Sequence, residues 1–267
     1  MKIDAISLRK MKHNLVDEVV HYYLDDTPLN ELLGKSLRVR FGGMITCIAC
    51  GRAGLKKTFN QGYCYPCFRS LARCDSCIIK PEKCHYHDGT CREPEWGESH
   101  CLREHVVYLA NTSGIKVGVT GAHKLHERWG DQGATEAVVI ARVPERLLAG
   151  KIESVLKAAI PDKTNWRHLL TGVETPVDFV ETFHQVKELL GEDLREYLLS
   201  EKEVEAGIQL LRYPVLEFLP KATTWNLDKV SEIEGRFSGI RGQYLFLGSK
   251  GLNIRKYQGY EIDLEVN

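Results

Sequence analysis

Two pairs of cysteines constrain the fold of this chain more than any other feature. Cys47 and Cys50 form the first pair, Cys64 and Cys67 form the second, and thirteen residues separate them. Each pair fits a tight turn that aims two thiolates at one position, so two turns complete a tetrahedral metal site. Four soft thiolates leave no open coordination position. We therefore expect structural zinc there, in preference to a redox dithiol or an iron-sulfur cluster.

The chain has nine cysteines, and all of them lie between Cys47 and Cys101. The N-terminus lacks the apolar core of an export signal, so we expect a cytoplasmic protein with reduced thiols, in which metal ligation explains the cysteines better than disulfides do. A second zinc is expected and a third is left open. Cys74 and Cys77 repeat the two-residue spacing and form the surer half of the second site. The other half would come from a set of four residues: Cys84, His85, Cys91 and Cys101.

Hydrophobic patterning predicts an α+β fold. Four zones follow one another: a β-rich segment at 1–45, the zinc-ribbon-like Cys-rich module at 46–104, an α/β module with a small mixed sheet and C-terminal helices at 105–206, and a β-rich segment at 207–267. The Cys-rich module has too few apolar residues for a core of its own. The two β-rich ends are each small, and we expect them to pair into one sheet or barrel.

Charge is balanced overall, with 36 basic and 36 acidic residues, which argues against binding nucleic acid through net charge alone. The basic residues are unevenly distributed, however, since residues 35–80 contain nine lysines and arginines and a single carboxylate, Asp75. This segment is a candidate phosphate-facing surface. The predicted nucleic-acid contacts near the first metal site are Arg52, Lys56, Lys57 and Arg69.

No stretch of the sequence reaches the roughly 18 to 20 apolar residues that a membrane-spanning helix requires, so we expect no membrane partner. Oligomeric state is not readable from the sequence.

A predicted β-hairpin, His105 to Gly121, contains and precedes several candidate catalytic residues. Its second strand presents Lys116 and Gly118 on one face, and a glycine in mid-strand often marks a close approach of backbone or ligand. Downstream, Arg128 follows after a loop and about one helical turn. Glu153 lies at the boundary of a helix's apolar stripe, where a carboxylate needs a cation or a donor.

These residues resemble the motifs of the GIY-YIG nuclease superfamily. VVY at 106–108 is similar to the first motif and KVG at 116–118 to the second, and the resemblance continues through Arg128, Glu153 and Asn165, covering about residues 105–170. The whole chain also resembles a bacterial family, of domains of unknown function, that joins a Cys-rich segment to such a module.

The superfamily resemblance implies hydrolysis of phosphodiester bonds in DNA or RNA with one divalent metal, magnesium or manganese. It implies that Glu153 binds this metal and that Arg128 stabilises the charge that develops on the phosphate. Tyr108 would position or deprotonate the attacking water, and Asn165 would hold the metal shell or the substrate.

Lys116 departs from this pattern, because it occupies the position of the second motif's tyrosine. A lysine contacts a phosphate as a point charge but does not inherit the proton-transfer role of a phenol. Three functions remain open at this point: an active nuclease, a catalytically silent nucleic-acid-binding protein, and a zinc-stapled protein-interaction module.

The cysteine spacing makes a first prediction about metal content. The purified chain, prepared without chelators, is expected to contain at least about one zinc ion per molecule, because four thiolates at this spacing complete one site. Elemental analysis measures the ratio, and a value well below one in undamaged protein would rule out the metal module.

Overall fold

The computed structural model describes residues 2–161 and 163–267, and these contain thirteen strands and eight α-helices. The strands are β1 (Lys2–Ser7), β2 (Lys12–Val16), β3 (Val19–Leu24), β4 (Thr27–Pro28), β5 (Ser36–Ile45), β6 (His105–Asn111), β7 (Ile115–Gly121), β8 (Glu136–Val143), β9 (Gln209–Leu210), β10 (Glu232–Arg241), β11 (Tyr244–Leu247), β12 (Lys250–Asn253) and β13 (Tyr260–Val266). The helices are α1 (Tyr65–Ser70), α2 (Pro94–Cys101), α3 (Leu125–Gln132), α4 (Arg146–Leu156), α5 (Trp166–Thr171), α6 (Phe179–Leu189), α7 (Glu192–Arg195) and α8 (Glu201–Ala206).

Strands from both ends of the chain form one sheet of six strands, in the order β1-β13-β5-β10-β11-β12. Val39 of β5 lies opposite Leu264 on one side and Ile233 on the other, and all three side chains are buried. Alternate residues of β5 face the core because side chains alternate along a strand. The expected pairing of the two β-rich ends is therefore confirmed, as an open sheet.

The central sheet has the order β7-β6-β8-β9, and its strand pairs are antiparallel. Both faces of β6 are buried. Val106, Tyr108 and Ala110 join a hydrophobic cluster shared with the terminal sheet, whereas Val107 and Leu109 join a second cluster. That second cluster is completed by apolar residues of α4, α6 and α8. The central sheet thus lies between the terminal β-structure and a layer of helices, and the α+β prediction is confirmed.

The N-terminal hairpin of β2 and β3 is attached to α3 by a network of charged groups. Asp131 accepts from Lys10 Nζ at 2.8 Å and from Gln243 Nε2 at 2.8 Å, and it lies 3.3 Å from His13 Nε2. Its side chain is only 6% exposed. Burial opposes ionisation of this carboxyl, but the bond from His13 and the charge of Lys10 outweigh it and lower the pKa of Asp131 to about 2.

The Cys-rich segment contributes little to either large cluster. Of its described residues, only the half-buried Leu55 packs against them. Short 3-10 turns, at Ala72–Cys74, Ser76–Ile78 and Pro81–Lys83, replace longer elements here. As expected from its composition, this segment lacks an apolar core of its own.

Among the described residues, no helix combines the length and the hydropathy needed to span a bilayer.

The Asp131 network predicts a pH-dependent term in stability. A carboxyl whose pKa is depressed by folding stabilises the native state above its unfolded pKa, and this contribution is lost as the pH falls towards its folded pKa. Wild type is expected to exceed Asp131→Asn in free energy of unfolding by about 2 kcal/mol at pH 7, with the gap closing between about pH 4 and pH 2. Denaturant unfolding at several pH values measures the gap.

The exposed Asp88 offers a matched control for this experiment. Asp88→Asn should have the same free energy of unfolding as wild type at each pH. Effects of pH that wild type and both variants share cancel in the comparison. A gap between wild type and Asp131→Asn that stays constant with pH would contradict the role assigned to the Asp131 carboxylate.

Candidate functional site

The four thiols of the first cysteine pairs converge. The sulfurs of Cys47, Cys50, Cys64 and Cys67 all lie within 4.8 Å of one another. Cys50 Sγ is 3.7 Å from Cys64 Sγ, which is close to the roughly 3.8 Å between thiolates around one tetrahedral zinc. Two local turns create this geometry: one directly follows β5, and the other is the start of α1, whose N-cap is Cys64.

Backbone N–H groups favour the thiolate form of Cys47 in this cluster. The Cys64 N–H donates to Cys47 Sγ at 3.2 Å. Burial raises the pKa of Cys47, but N–H groups of Cys50, Cys64 and Ala49 outweigh burial and lower the pKa to about 6. A thiolate is the form that binds metal, so the donor set fits a zinc ion, as the cysteine spacing predicted.

The structure divides the five remaining cysteines. Four of them line one small cavity in the second half of the Cys-rich segment: Cys77, Cys84, Cys91 and Cys101. Cys74 does not line this cavity, and its thiol lies within electrostatic range of Cys47 in the first cluster. Cys74 and Cys77 therefore do not face the same site, although their two-residue spacing predicted that they would.

A second cluster of polar groups lies on the central sheet. The Tyr108 hydroxyl is fully buried and lies 3.0 Å from Gln132 Oε1 and 3.4 Å from Arg128 Nε. Gly118 lies opposite Tyr108 in the strand pairing, and a Cβ atom at position 118 would be 2.6 Å from Tyr108 Cζ. The mid-strand glycine is thus explained by the passage of the tyrosine ring over β7.

Gln132 is a member of this cluster that the sequence did not suggest. In the amide orientation that satisfies all three groups, its oxygen accepts from Arg128 Nε at 2.8 Å and Nη2 at 3.1 Å. The available signal was its spacing: Gln132 follows Arg128 by four residues, which places both on one face of α3. Gln132 therefore holds the guanidinium and the phenol in a common geometry.

Glu153 lies close enough to act electrostatically on this cluster. Burial raises the pKa of Tyr108, and the Glu153 charge adds to this shift. Burial lowers the pKa of Arg128, but Tyr108 and the charges of Asp131 and Glu153 outweigh it and raise that pKa. Glu153 is 7% exposed, and its Oε2 lies 3.1 Å from Nζ of Lys157, the C-cap of α4. The boundary carboxylate predicted from the helix pattern is therefore almost buried and has a cationic neighbour.

Lys116 lies on the same sheet face as Tyr108, since their opposite partners are Ala110 and Gly118. It is 5% exposed, and its Nζ lies 3.5 Å from Thr164 Oγ1. A buried ammonium therefore stands where the resemblance implies a phenol.

Asn165 lies next to Thr164 but is exposed, and its side chain hydrogen-bonds the neighbouring backbone. It is the N-cap of α5, and its Oδ1 accepts from the Arg167 N–H at 3.2 Å. Its own N–H donates to Ser113 Oγ. The structure thus brings Tyr108 and Arg128 into contact, places Glu153 within electrostatic range of both, and gives the Asn165 side chain a helix-capping bond.

The basic segment is split between two environments. Arg38 and Arg40 of β5 form ion pairs with carboxylates of neighbouring strands, Glu234 at 2.8 Å and Asp263 at 3.0 Å. The predicted nucleic-acid contacts around the first cysteine cluster are all exposed: Arg52, Lys56, Lys57 and Arg69. The candidate phosphate-facing surface is therefore smaller than the sequence count of basic residues implied.

The contact between Gly118 and Tyr108 yields a structural prediction. Gly118→Ala is expected to destabilise the chain by about 1–3 kcal/mol, because the added methyl group meets a fully buried ring that has no room to move. Thermal or denaturant unfolding measures the loss. Gly42→Ala is the matched control, since a Cβ there would meet no atom within 4 Å. Equal stability of the two variants would show that Tyr108 does not cross β7 as described.

Comparison with known proteins identifies one family. No curated protein and no solved structure matches the chain significantly. A family model described as "Protein of unknown function (DUF2797)" matches residues 34–262, which include all nine cysteines and the cluster around Tyr108. This description assigns no activity, so the nuclease-superfamily resemblance stays a prediction. The match extends over most of the sequence, and the chain therefore belongs to the DUF2797 family.

Proposed function

We propose that this chain is a metal-dependent nuclease that hydrolyses phosphodiester bonds in DNA or RNA, with structural zinc in its Cys-rich segment. One observation carries the proposal: an arginine, a phenol and a glutamine are hydrogen-bonded together on one sheet face, within electrostatic range of the nearly buried carboxylate of Glu153. Buried clusters of ionisable groups with shifted pKa values are more frequent at functional sites than elsewhere.

Glu153 is the residue that would hold magnesium or manganese. These ions bind through one or two carboxylates together with water and substrate phosphate, so a single glutamate is sufficient on the protein side. When bound, such an ion polarises the phosphate and lowers the pKa of a coordinated water. Lys157 lies 3.1 Å from the same carboxylate and would have to share it or move away.

Arg128 would stabilise the negative charge that develops on the phosphate oxygens. Its guanidinium is held by Tyr108 and Gln132, so little reorganisation is needed when the substrate arrives. A planar, permanently charged group suits this task better than an ammonium does.

Tyr108 would orient the attacking water rather than deprotonate it. Burial raises the pKa of its hydroxyl above the ordinary value, so the phenol stays protonated at neutral pH. Lys116, on the same face, would contact a phosphate as a point charge. The Asn165 side chain is engaged in capping α5, and its role in the proposal is to fix the start of that helix beside Thr164.

Nucleic acid is the proposed substrate because of the exposed cations around the first cysteine cluster. The four cations are exposed: Arg52, Lys56, Lys57 and Arg69. Lys57 Nζ lies 5.2 Å from the ring centre of Phe59. Cations interleaved with aromatic rings can contact phosphates and stack on bases. The chain as a whole has no net charge, so this contact would be local.

A catalytically silent nucleic-acid-binding protein is the second candidate, and one observation favours it. Lys116 places a buried ammonium at the position where the resemblance implies a second phenol. Such a group attracts phosphate but supplies no hydroxyl to the reaction. The two candidates share the same binding surface and differ in whether magnesium or manganese permits cleavage.

Substitution at Glu153 tests the proposal. With magnesium or manganese present, wild type is expected to cleave at least one substrate among single-stranded DNA, duplex DNA and structured RNA. Glu153→Gln should cleave at least about 100-fold more slowly while binding equally well, because it loses the metal ligand but keeps the shape of the side chain. Cleavage is followed on gels and binding by fluorescence anisotropy.

Glu188→Gln is the matched control, because Glu188 is an exposed helix residue. It should cleave like wild type. Equal cleavage by wild type and Glu153→Gln would contradict the assigned site. Binding without cleavage by wild type would support the silent candidate, and absence of both activities would leave the protein-interaction module as the better explanation of the zinc segment.

A further inference from the structure

Four cysteines surround the small cavity in the second half of the Cys-rich segment, which we call the second cavity. Cys77, Cys84, Cys91 and Cys101 come from four separate short segments, yet all of them line the same small space. The Cys101 thiol interacts electrostatically with the Cys84 thiol, and the Cys77 thiol lies within electrostatic range of Cys84 and Cys91. This segment has no apolar core, so hydrophobic packing does not explain why four thiols surround one cavity.

Two other possible ligands near the cavity are already engaged. Asp75 accepts from Arg92 Nε at 2.6 Å, from Ser76 Oγ and from the Cys77 N–H. His85 Nδ1 lies 2.8 Å from Thr90 Oγ1, and its Nε2 faces Asp75 at 3.6 Å. Asp75, Cys77 and His85 offer ligand atoms within 4.8 Å of one another, but Asp75 is paired with Arg92, and soft sulfurs are the donors that zinc prefers.

Positive charge stands beside the sulfurs. Zinc bound by four thiolates carries a net charge of about −2, which is costly to bury without a counter-charge. Arg146 of α4 donates through Nη2 to the Ile78 carbonyl at 2.7 Å, and its charge acts on the Cys101 thiol. Its guanidinium thus lies within electrostatic range of one proposed ligand and bonds the backbone next to another.

The segment between Cys77 and Cys84 supports α4. Gly150 of α4 lies so close to it that a Cβ atom there would be 2.6 Å from Pro81 Cβ. Gly150 precedes Glu153 by three residues, so this contact lies about one helical turn from the candidate metal-binding carboxylate. His87 adds a second link, since its Nε2 lies 2.6 Å from Glu145 Oε2 at the start of α4.

We propose that Cys77, Cys84, Cys91 and Cys101 bind a second zinc ion, and that this ion holds the 78–83 segment in place against α4. Zinc displaces the four thiol protons to solvent and fixes both ends of the segment, at Cys77 and Cys84. Because apolar packing in this region is slight, metal ligation is the interaction that positions the surface on which Gly150 rests. The second zinc thereby supports the helix that carries Glu153, whether or not the chain cleaves nucleic acid.

Zinc content of the full chain tests the first part of the proposal. Wild type, expressed with zinc and desalted without chelators, is expected to contain about two zinc ions per chain by elemental analysis. Cys91→Ser should contain about one, and Cys50→Ser should likewise lose one. Cys74→Ser, which changes a buried cysteine outside the cavity, should keep two, as should His85→Asn.

A wild-type content of one zinc per chain would overturn the second site without any variant, so the test survives a failure of Cys91→Ser to fold. Retention of two ions by Cys91→Ser, or loss of one by His85→Asn, would overturn the proposed ligand set.

Hydrogen exchange tests the second part, independently of any activity. Backbone amides of α4 should exchange at least about tenfold faster in Cys91→Ser than in wild type, because the surface that supports Gly150 is released. Amides of β10 and β13 in the terminal sheet should be unchanged, and Cys74→Ser should behave as wild type in α4. Unchanged protection of α4 in a Cys91→Ser chain that has lost one zinc would overturn the supporting role.

Discussion

The convergence of four thiols is the constraint on which the middle of this structure depends. Residues 46–104 contribute almost nothing to the two large hydrophobic clusters, so their backbone is not held by burial of apolar surface. The sulfurs of four cysteines converge instead: Cys47, Cys50, Cys64 and Cys67. Four thiolates that bind one cation would constrain two turns at once. A segment that lacks a core can then present exposed cations on one side and press against α4 on the other.

The central sheet depends on a different interaction, the burial of both faces of β6. One face joins the terminal sheet through Val106, Tyr108 and Ala110, and the other joins the helical layer through Val107 and Leu109. A polar hydroxyl in such a position needs partners, because an unsatisfied buried group costs about 1–3 kcal/mol. Gln132 and Arg128 supply them, so the same bonds that stabilise the core also position the candidate site.

Much of the fold was predictable because its signals are local. Alternating apolar residues identified β5 and β8, helical periodicity identified α4 and α6, and the small size of each β-rich end implied that the two ends pair. The departures arise where distant segments meet. Arg38 was expected to face phosphate, but β5 is a central strand, and its neighbours bring Glu234 and Glu265 to the guanidinium.

The sequence by itself determined the first cysteine cluster, because a two-residue spacing on a tight turn defines the direction of both thiols without reference to the remaining chain. It also indicated Tyr108, Arg128 and Glu153 as a set through their resemblance to known motifs. Only the tertiary structure decided that Gln132 contacts Tyr108 of this set, and that Cys74 is separated from the four thiols of the second cavity. These outcomes depend on contacts between residues far apart in sequence, and such contacts leave no periodic signal in the chain.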